Sequence, residues 1–144
     1  MSKAKAIGTK AETAVRNYLL STGYSELDAH RNVLKGTDDE GDVWLRDSVR
    51  GLIVFEVKGG KMAKTASHEQ CIKWLEEAEK ERDNAKANFG FLVTQRAGVG
   101  YPRAGEWWAY ARLDDIHALC DNHSRIYPYV LRLTLRDLVE LISA

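Results

Sequence analysis

The sequence predicts an α/β domain in which helices flank a mixed β-sheet. Two long segments have the apolar spacing of amphipathic helices, and each is followed by short apolar segments rich in β-branched and aromatic residues. The order is helix, two strands, helix, two strands and then short elements, which does not repeat a βαβ unit and therefore favours a mixed sheet. With 144 residues, of which 44% are hydrophobic, the chain is long enough for one domain with an ordinary core.

The first helix is predicted in the segment GTKAETAVRNYLLSTGY. Thr9 can cap its N-terminus together with Glu12 three residues later, and Gly23 can end it. After a stretch without a clear signal, two segments have the composition of strands, DVWLRD (42–47) and LIVFEVK (52–58).

The rest of the chain adds a second long helix and several shorter elements. The segment SHEQCIKWLEEAEKERDNAKA opens with Ser67 and Gln70, another capping pattern, and has helical character for roughly 20 residues. Further strands are predicted in NFGFLVTQ, EWWAYAR and YPYVLRL, and further helices in LDDIHALC and LRDLVELI. We expect one domain over 1–144, with a core at about 8–112 and a C-terminal extension at 113–144.

The last helix has an apolar stripe at helical spacing. Such a stripe usually belongs to the core, although a terminal apolar helix could also carry a dimer interface. Its members are Leu135, Leu138, Val139 and Ile142.

The segments at 42–47 and 52–58 predict a β-hairpin with acids at one end. A turn centred near Val49 places Asp42 opposite Glu56, and Lys58 lies two residues further along the same face. A register slip of one residue would drive Asp42 into the core, so the pattern restricts its own register. The other face is wholly apolar, with Val43, Leu45, Ile53, Phe55 and Val57.

Two carboxylates beside a lysine predict a site for a hard cation. Mg²⁺ or Mn²⁺ commonly takes one or two carboxylates together with waters and substrate phosphate. A lysine on the same face adds positive charge where a phosphoryl transition state becomes more negative, or helps to orient and deprotonate the attacking water. The pattern therefore favours metal-dependent phosphodiester hydrolysis. The alternative is a surface salt bridge of Lys58 with either acid, worth about 0–1 kcal/mol.

This pattern resembles the PD-(D/E)XK nuclease superfamily. Asp42 is followed by thirteen residues and then by Glu56, Val57 and Lys58, while Gly41 stands where the name of the family has proline. The resemblance implies a restriction-endonuclease-like core. It also implies that Asp42, Glu56 and the backbone carbonyl of Val57 bind Mg²⁺ or Mn²⁺, and that Lys58 is catalytic.

The likeness extends to the archaeal-type Holliday junction resolvases and their phage relatives, over about residues 8–110. Those proteins begin with a helix that bears glycine and glutamate, here with Glu12, and have an arginine near the next strand, here Arg31. They also carry a glutamine on the helix after the EVK strand, here Gln70. The resemblance therefore adds Glu12 and Gln70 as catalytic candidates, and a role as a capping residue is the alternative for each.

The predicted contacts with DNA depend on local charge, because the 21 basic and 21 acidic residues cancel. The loop TQRAGVGYPRAGEWW could follow a phosphate backbone or stack on unpaired bases, or Trp107 and Trp108 could instead pack under the sheet. The basic candidates for DNA contact are Lys10, Arg31, Lys61, Lys64, Arg96 and Arg103.

The sequence thus predicts a metal-dependent endodeoxyribonuclease that is specific for DNA structure. A homodimeric Holliday junction resolvase is the favoured form, because two symmetric nicks suit a two-fold dimer. A restriction-like or repair endonuclease of the same superfamily is one alternative, and a non-catalytic DNA-binding module is another. The two cysteines have no disulfide or zinc spacing, and no segment resembles a signal peptide or a membrane span. We therefore expect a cytoplasmic protein.

Overall fold

The structure, a computed structural model, describes residues 2–32, 42–120 and 129–144, so that Gly41 of the motif lies outside the described residues. The helices are α1 (Lys3–Ser21), α2 (Gly60–Lys64), α3 (His68–Ala85), α4 (Leu113–Leu119) and α5 (Leu135–Ser143), with a 3-10 helix at Tyr101–Glu106. The strands are β1 (Ala29–Arg31), β2 (Val43–Asp47), β3 (Gly51–Lys58), β4 (Phe89–Thr94), β5 (Trp108–Arg112) and β6 (Val130–Thr134).

The six strands form one mixed sheet in the order β1-β2-β3-β4-β5-β6. Strands β3 and β4 are parallel because α3 connects them, and the other neighbouring pairs are antiparallel. Helices α1 and α5 cover one face around the main core, and α3 covers the other face around a smaller apolar cluster. The predicted α/β class with a mixed sheet between helices is therefore confirmed.

The first helix starts earlier than the sequence predicts. Its N-cap is Ser2, whose hydroxyl accepts a hydrogen bond from the Lys5 backbone N–H at 3.1 Å. The predicted cap at Thr9 is wrong, because nothing between Ser2 and Thr9 breaks a helix that already has a cap. Glu12 consequently lies in the helix interior and has no capping role.

The predicted hairpin register is confirmed. Val43 pairs with Phe55 and Arg46 with Leu52, so the turn is centred where the sequence places it. The apolar face of the hairpin is fully buried against α1, except for Val57, which is 5% exposed. The opposite face of the hairpin, which carries the acids, therefore lies on the α3 side of the sheet.

Asp47 fixes the turn of this hairpin. Its carboxylate accepts hydrogen bonds from the backbone N–H groups of Val49 (2.9 Å) and Arg50 (2.8 Å) and from the Tyr24 hydroxyl (2.7 Å). Burial acts to raise the pKa of Asp47, but these hydrogen bonds outweigh it and hold the pKa below its ordinary value. The ionised carboxylate is therefore the form that the folded state prefers.

We expect Asp47→Asn to lower the free energy of unfolding at neutral pH by about 1–3 kcal/mol, because the turn loses charge-assisted hydrogen bonds. A pKa lowered by folding gives stability above the unfolded pKa, and this stability disappears as the pH falls through the folded pKa. The difference between wild type and variant should therefore shrink below about pH 4 in urea unfolding. Tyr101→Phe, at a residue 37% exposed, is the matched control and should have little effect. A deficit for Asp47→Asn that is independent of pH would contradict the role of its charge.

The C-terminal segment belongs to the same sheet and the same core. Strand β6 pairs with β5, and the apolar stripe of α5 is at most 2% exposed. The core interpretation of that stripe is confirmed. Because the stripe is buried within the chain, a dimer contact through α5 would use its exposed residues, and that suggestion stays a prediction.

Candidate active site

Asp42 and Glu56 lie in contact on the α3 side of the sheet. The Asp42 backbone N–H donates to the Phe55 carbonyl at 3.0 Å, which extends the hairpin ladder by one residue. The Asp42 side chain accepts a hydrogen bond from the Val57 backbone N–H at 2.8 Å and is also hydrogen-bonded to the Glu56 carboxyl. The edge of β3 thus holds Asp42 against Glu56.

The surroundings of Glu56 disfavour its ionised form. Glu56 is 5% exposed, and burial raises its pKa to about 8, even though the hydrogen bond with Asp42 and the charge of Lys58 act in the opposite direction. The nearby carboxyl of Glu81 raises the pKa further. Buried neighbouring acids of this kind are stabilised in the ionised form when a cation lies between them.

Lys58 lies on the same face of the sheet as Asp42 and Glu56. Its Nζ lies 3.4 Å from a carboxylate oxygen of Glu77 and 5.6 Å from the ring centroid of Trp74. Burial acts to lower the pKa of Lys58, but the carboxylates of Glu56 and Glu77 outweigh it and raise the pKa above its ordinary value. Lys58 is therefore an ammonium ion at neutral pH. This state suits the stabilisation of negative charge and not the removal of a proton.

Helix α3 adds two acids that sequence reasoning did not assign. Glu77 and Glu81 follow Gln70 by two and three helical turns, so the three side chains share one helical face. Glu77 contacts Lys58, and Glu81, which is 3% exposed, lies beside Glu56. The spacing of both acids from Gln70 was the signal available in the sequence.

Ser67 caps α3, because its hydroxyl accepts a hydrogen bond from the Gln70 backbone N–H at 3.1 Å. Its side chain forms no hydrogen bond with any described residue. Gln70 lies on the helical face that carries Glu77 and Glu81, and its role in the site stays a prediction.

Gln95 is a third residue that sequence reasoning missed. It is 4% exposed, its backbone N–H donates to the Lys58 carbonyl at 2.9 Å, and its side-chain oxygen accepts from the Gly60 N–H at 2.8 Å. Gly60 has φ +80, and a Cβ there would lie 2.9 Å from the Ile7 side chain of α1. Gln95 and the glycine together fix the backbone directly after Lys58.

Glu12 and Arg31 form an ion pair on the other face of the sheet. The Arg31 guanidinium donates to the Glu12 carboxylate at 3.2 and 3.3 Å. Arg31 pairs with Val43, and the next residue, Asn32, donates its backbone N–H to the Asp42 carbonyl at 2.9 Å. The pair therefore lies at the same end of the sheet as Asp42, on the side of α1.

The basic candidates differ in their surroundings. Arg96 donates to the Glu106 carbonyl at 3.2 Å and lies 4.0 Å from the ring centroid of Trp108. Trp107 is fully buried and donates its indole N–H to the Val99 carbonyl at 2.9 Å, so for this residue packing under the sheet is confirmed. The remaining candidates are exposed at the surface: Lys10, Lys61, Lys64 and Arg103.

The carboxylates of the site are suited as ligands to a cation that retains water. In the described part of the chain, no three His, Cys, Asp or Glu side chains form a group that could hold a metal ion. Asp42 and Glu56 supply two carboxylates, and Mg²⁺ commonly binds through one or two carboxylates while keeping several waters. The pair is therefore compatible with Mg²⁺ or Mn²⁺ and unsuited to a structural zinc site.

Comparisons of the chain with models of protein families, with curated proteins and with solved structures find no match. Among the described residues, no helix has the length and apolar character needed to cross a membrane. A functional proposal for this protein therefore depends on the chemistry of the site.

Proposed function

We propose that this protein is a divalent-metal-dependent endonuclease that hydrolyses phosphodiester bonds in DNA. The observation that carries the proposal is the contact between the Asp42 and Glu56 carboxyls, with the Lys58 ammonium on the same face. A surface salt bridge does not explain this arrangement, because Glu56 is buried and Lys58 has a separate partner in Glu77.

The roles of the residues follow from their chemistry. Asp42, Glu56 and the Val57 carbonyl would hold the metal, which when bound supplies Lewis-acid activation and a more acidic water. Lys58 places a positive charge where the phosphorane-like transition state gains negative charge. The Val57 N–H orients Asp42, and Gln95 holds the backbone after Lys58.

Four-way DNA junctions are the substrate that we favour, cut near the crossover by a homodimer. Support comes from the resemblance to the PD-(D/E)XK superfamily and its resolvases. It also comes from the mixed sheet between helices, which is compatible with a restriction-endonuclease-like core. Two residues that the resemblance selects separately, Glu12 and Arg31, are an ion pair beside the Asp42 strand. Glu12 lies on the opposite face of the sheet from Glu56 and Lys58, so a role for Glu12 in the site rests on the resemblance.

Cleavage assays on a synthetic four-way junction and on a linear duplex of the same sequence test the proposal. With Mg²⁺ or Mn²⁺, wild type is expected to make paired nicks near the crossover and to leave the duplex largely intact. Equal cutting of both substrates would favour a restriction-like or repair endonuclease. Junction binding without cleavage in either metal would favour a non-catalytic DNA-binding module and overturn the proposal.

A further inference from the structure

We infer that Arg96, Trp108 and Arg132 form a second phosphate-binding site, which holds the DNA backbone a few nucleotides from the scissile phosphate. This inference rests on the proposed function for the identity of the ligand. Arg96 is among the basic residues that the sequence selects, whereas the parts played by Trp108 and Arg132 come only from the structure.

Both guanidinium groups are held in place by aromatic and backbone contacts. The guanidinium carbons of Arg96 and Arg132 each lie 4.0 Å from the ring centroid of Trp108. Arg96 also donates to the Glu106 carbonyl, and Arg132 is hydrogen-bonded to the Tyr110 hydroxyl. Contacts between guanidinium groups and an indole ring restrict the side chains without neutralising their charge.

Neither arginine has an acidic partner among the described residues. Arg31, Arg82, Arg112 and Arg136 each form a salt bridge with a carboxylate, but Arg96 and Arg132 form none within the described ranges. Two oriented guanidinium groups without a carboxylate retain N–H donors for an anion. Phosphate is the anion whose geometry a guanidinium binds in a bidentate manner.

The pair of arginines lies on the catalytic face of the sheet. Trp108 packs against the apolar cluster under α3, as does Tyr110, so their side chains leave the sheet on the side of Glu56 and Lys58. Lys58 pairs with Thr94, and Thr94 pairs with Trp108, which puts these residues in one row across β3, β4 and β5. Two strand spacings separate Lys58 from Trp108, roughly 10 Å between Cα atoms.

This separation suits neighbouring phosphates of one DNA strand. Phosphates rise about 3.4 Å per nucleotide along the axis of a duplex strand, so a site roughly 10 Å from Lys58 would meet a phosphate within a few nucleotides of the scissile one. A strand with its scissile phosphate at Lys58 would reach the arginines by crossing the ends of β4 and β5. Because the contacts involve only phosphate, they would fix the position of the strand without selecting its sequence. With both guanidinium groups near its ring, Trp108 serves to hold them and not to stack on a base.

The salt dependence of DNA binding tests whether the Arg96 and Arg132 guanidinium groups contact phosphate. Binding of a labelled four-way junction is measured without divalent metal in the Lys58→Ala background, so that cleavage does not interfere. Arg132→Gln and Arg96→Gln should each reduce the slope of log K against log salt by about 0.9, as expected for one lost phosphate contact. Lys80→Gln, which removes one positive charge from an exposed position of α3, should leave the slope unchanged. Arg132→Lys should keep most of the slope, and circular dichroism verifies that each variant is folded.

A scan with single methylphosphonate linkages locates the contact. In the parent protein, one neutral linkage within about three nucleotides of the crossover cut should weaken binding, and Arg132→Gln should not add to that loss, since both changes remove the same contact. Additive losses at every position, or unchanged salt slopes, would overturn the inference. If wild type cleaves DNA but the salt slopes of the arginine variants are unchanged, this inference fails and the nuclease proposal stands. If the slopes are reduced but the protein never cleaves DNA, the phosphate-binding site stands and the nuclease proposal fails.

Discussion

Lys58→Ala is expected to lower the rate of DNA cleavage by about 10²- to 10³-fold, the usual effect of removing one group that stabilises developing charge. The carboxylates of Glu56 and Glu77 outweigh the effect of burial and keep Lys58 an ammonium ion that faces Glu56. The variant loses that positive charge, while Asp42 and Glu56 keep their backbone supports in β2 and β3. Single-turnover cleavage of a four-way junction with saturating Mg²⁺ measures the chemical step apart from binding.

Two matched variants separate the role of Lys58 from general effects of charge. Lys80→Ala removes an exposed lysine of α3 that is not among the candidates for DNA contact, and we expect less than a threefold change in its single-turnover rate. Glu77→Gln removes the partner that lies 3.4 Å from Lys58 but keeps the ammonium, so a small effect is also expected. If Lys58→Ala cleaves at the wild-type rate, the lysine has no part in the chemistry and Glu77 is merely its salt-bridge partner.

The sequence predicts the β2–β3 hairpin well, because the alternation of apolar and polar side chains restricts the register in which the two strands can pair. One face from Val43 to Val57 is wholly apolar, and only one register buries it while keeping Asp42 beside Glu56. The start of α1 could not be predicted in the same way. Thr9 and Ser2 are both acceptable caps, and the longer helix prevails because Ser2 caps it and residues 3–8 continue the helix up to Thr9.

The parts of the site that come from other elements were harder to predict. Glu81 approaches Glu56 only because α3 runs antiparallel to β3 across the sheet, and Gln95 reaches Gly60 only because β3 and β4 are parallel. Neither relation is local in sequence. Arg132 lies on β6, beyond the residues 121–128 that the structure does not describe, and no pattern in the sequence connects it with Trp108. Tertiary placement thus supplies what periodicity and spacing do not.

Glu56→Gln is expected to abolish both metal-dependent cleavage and the stabilisation of the fold by metal. The change keeps the shape of the side chain and removes one of only two carboxylates proposed to bind the cation. A ligand at 100 times its dissociation constant stabilises the native state by about 2.7 kcal/mol, which for a protein of this size corresponds to a rise in Tm on the order of 5–10 °C. Thermal unfolding with EDTA and with Mg²⁺ or Mn²⁺ measures this rise without any substrate.

The comparison of variants assigns the metal and the lysine to separate tasks. Lys58→Ala should keep the rise in Tm and lose cleavage, whereas Glu56→Gln should lose both. Glu77→Gln makes the same chemical change at the half-exposed acid beside Lys58 and should keep the rise in Tm.

In EDTA, Glu56→Gln should be at least as stable as wild type, because it removes one of three neighbouring buried or half-buried acids, Asp42, Glu56 and Glu81. A full metal-dependent rise in Glu56→Gln would place the cation away from β3, and the nuclease proposal would then lose its metal centre.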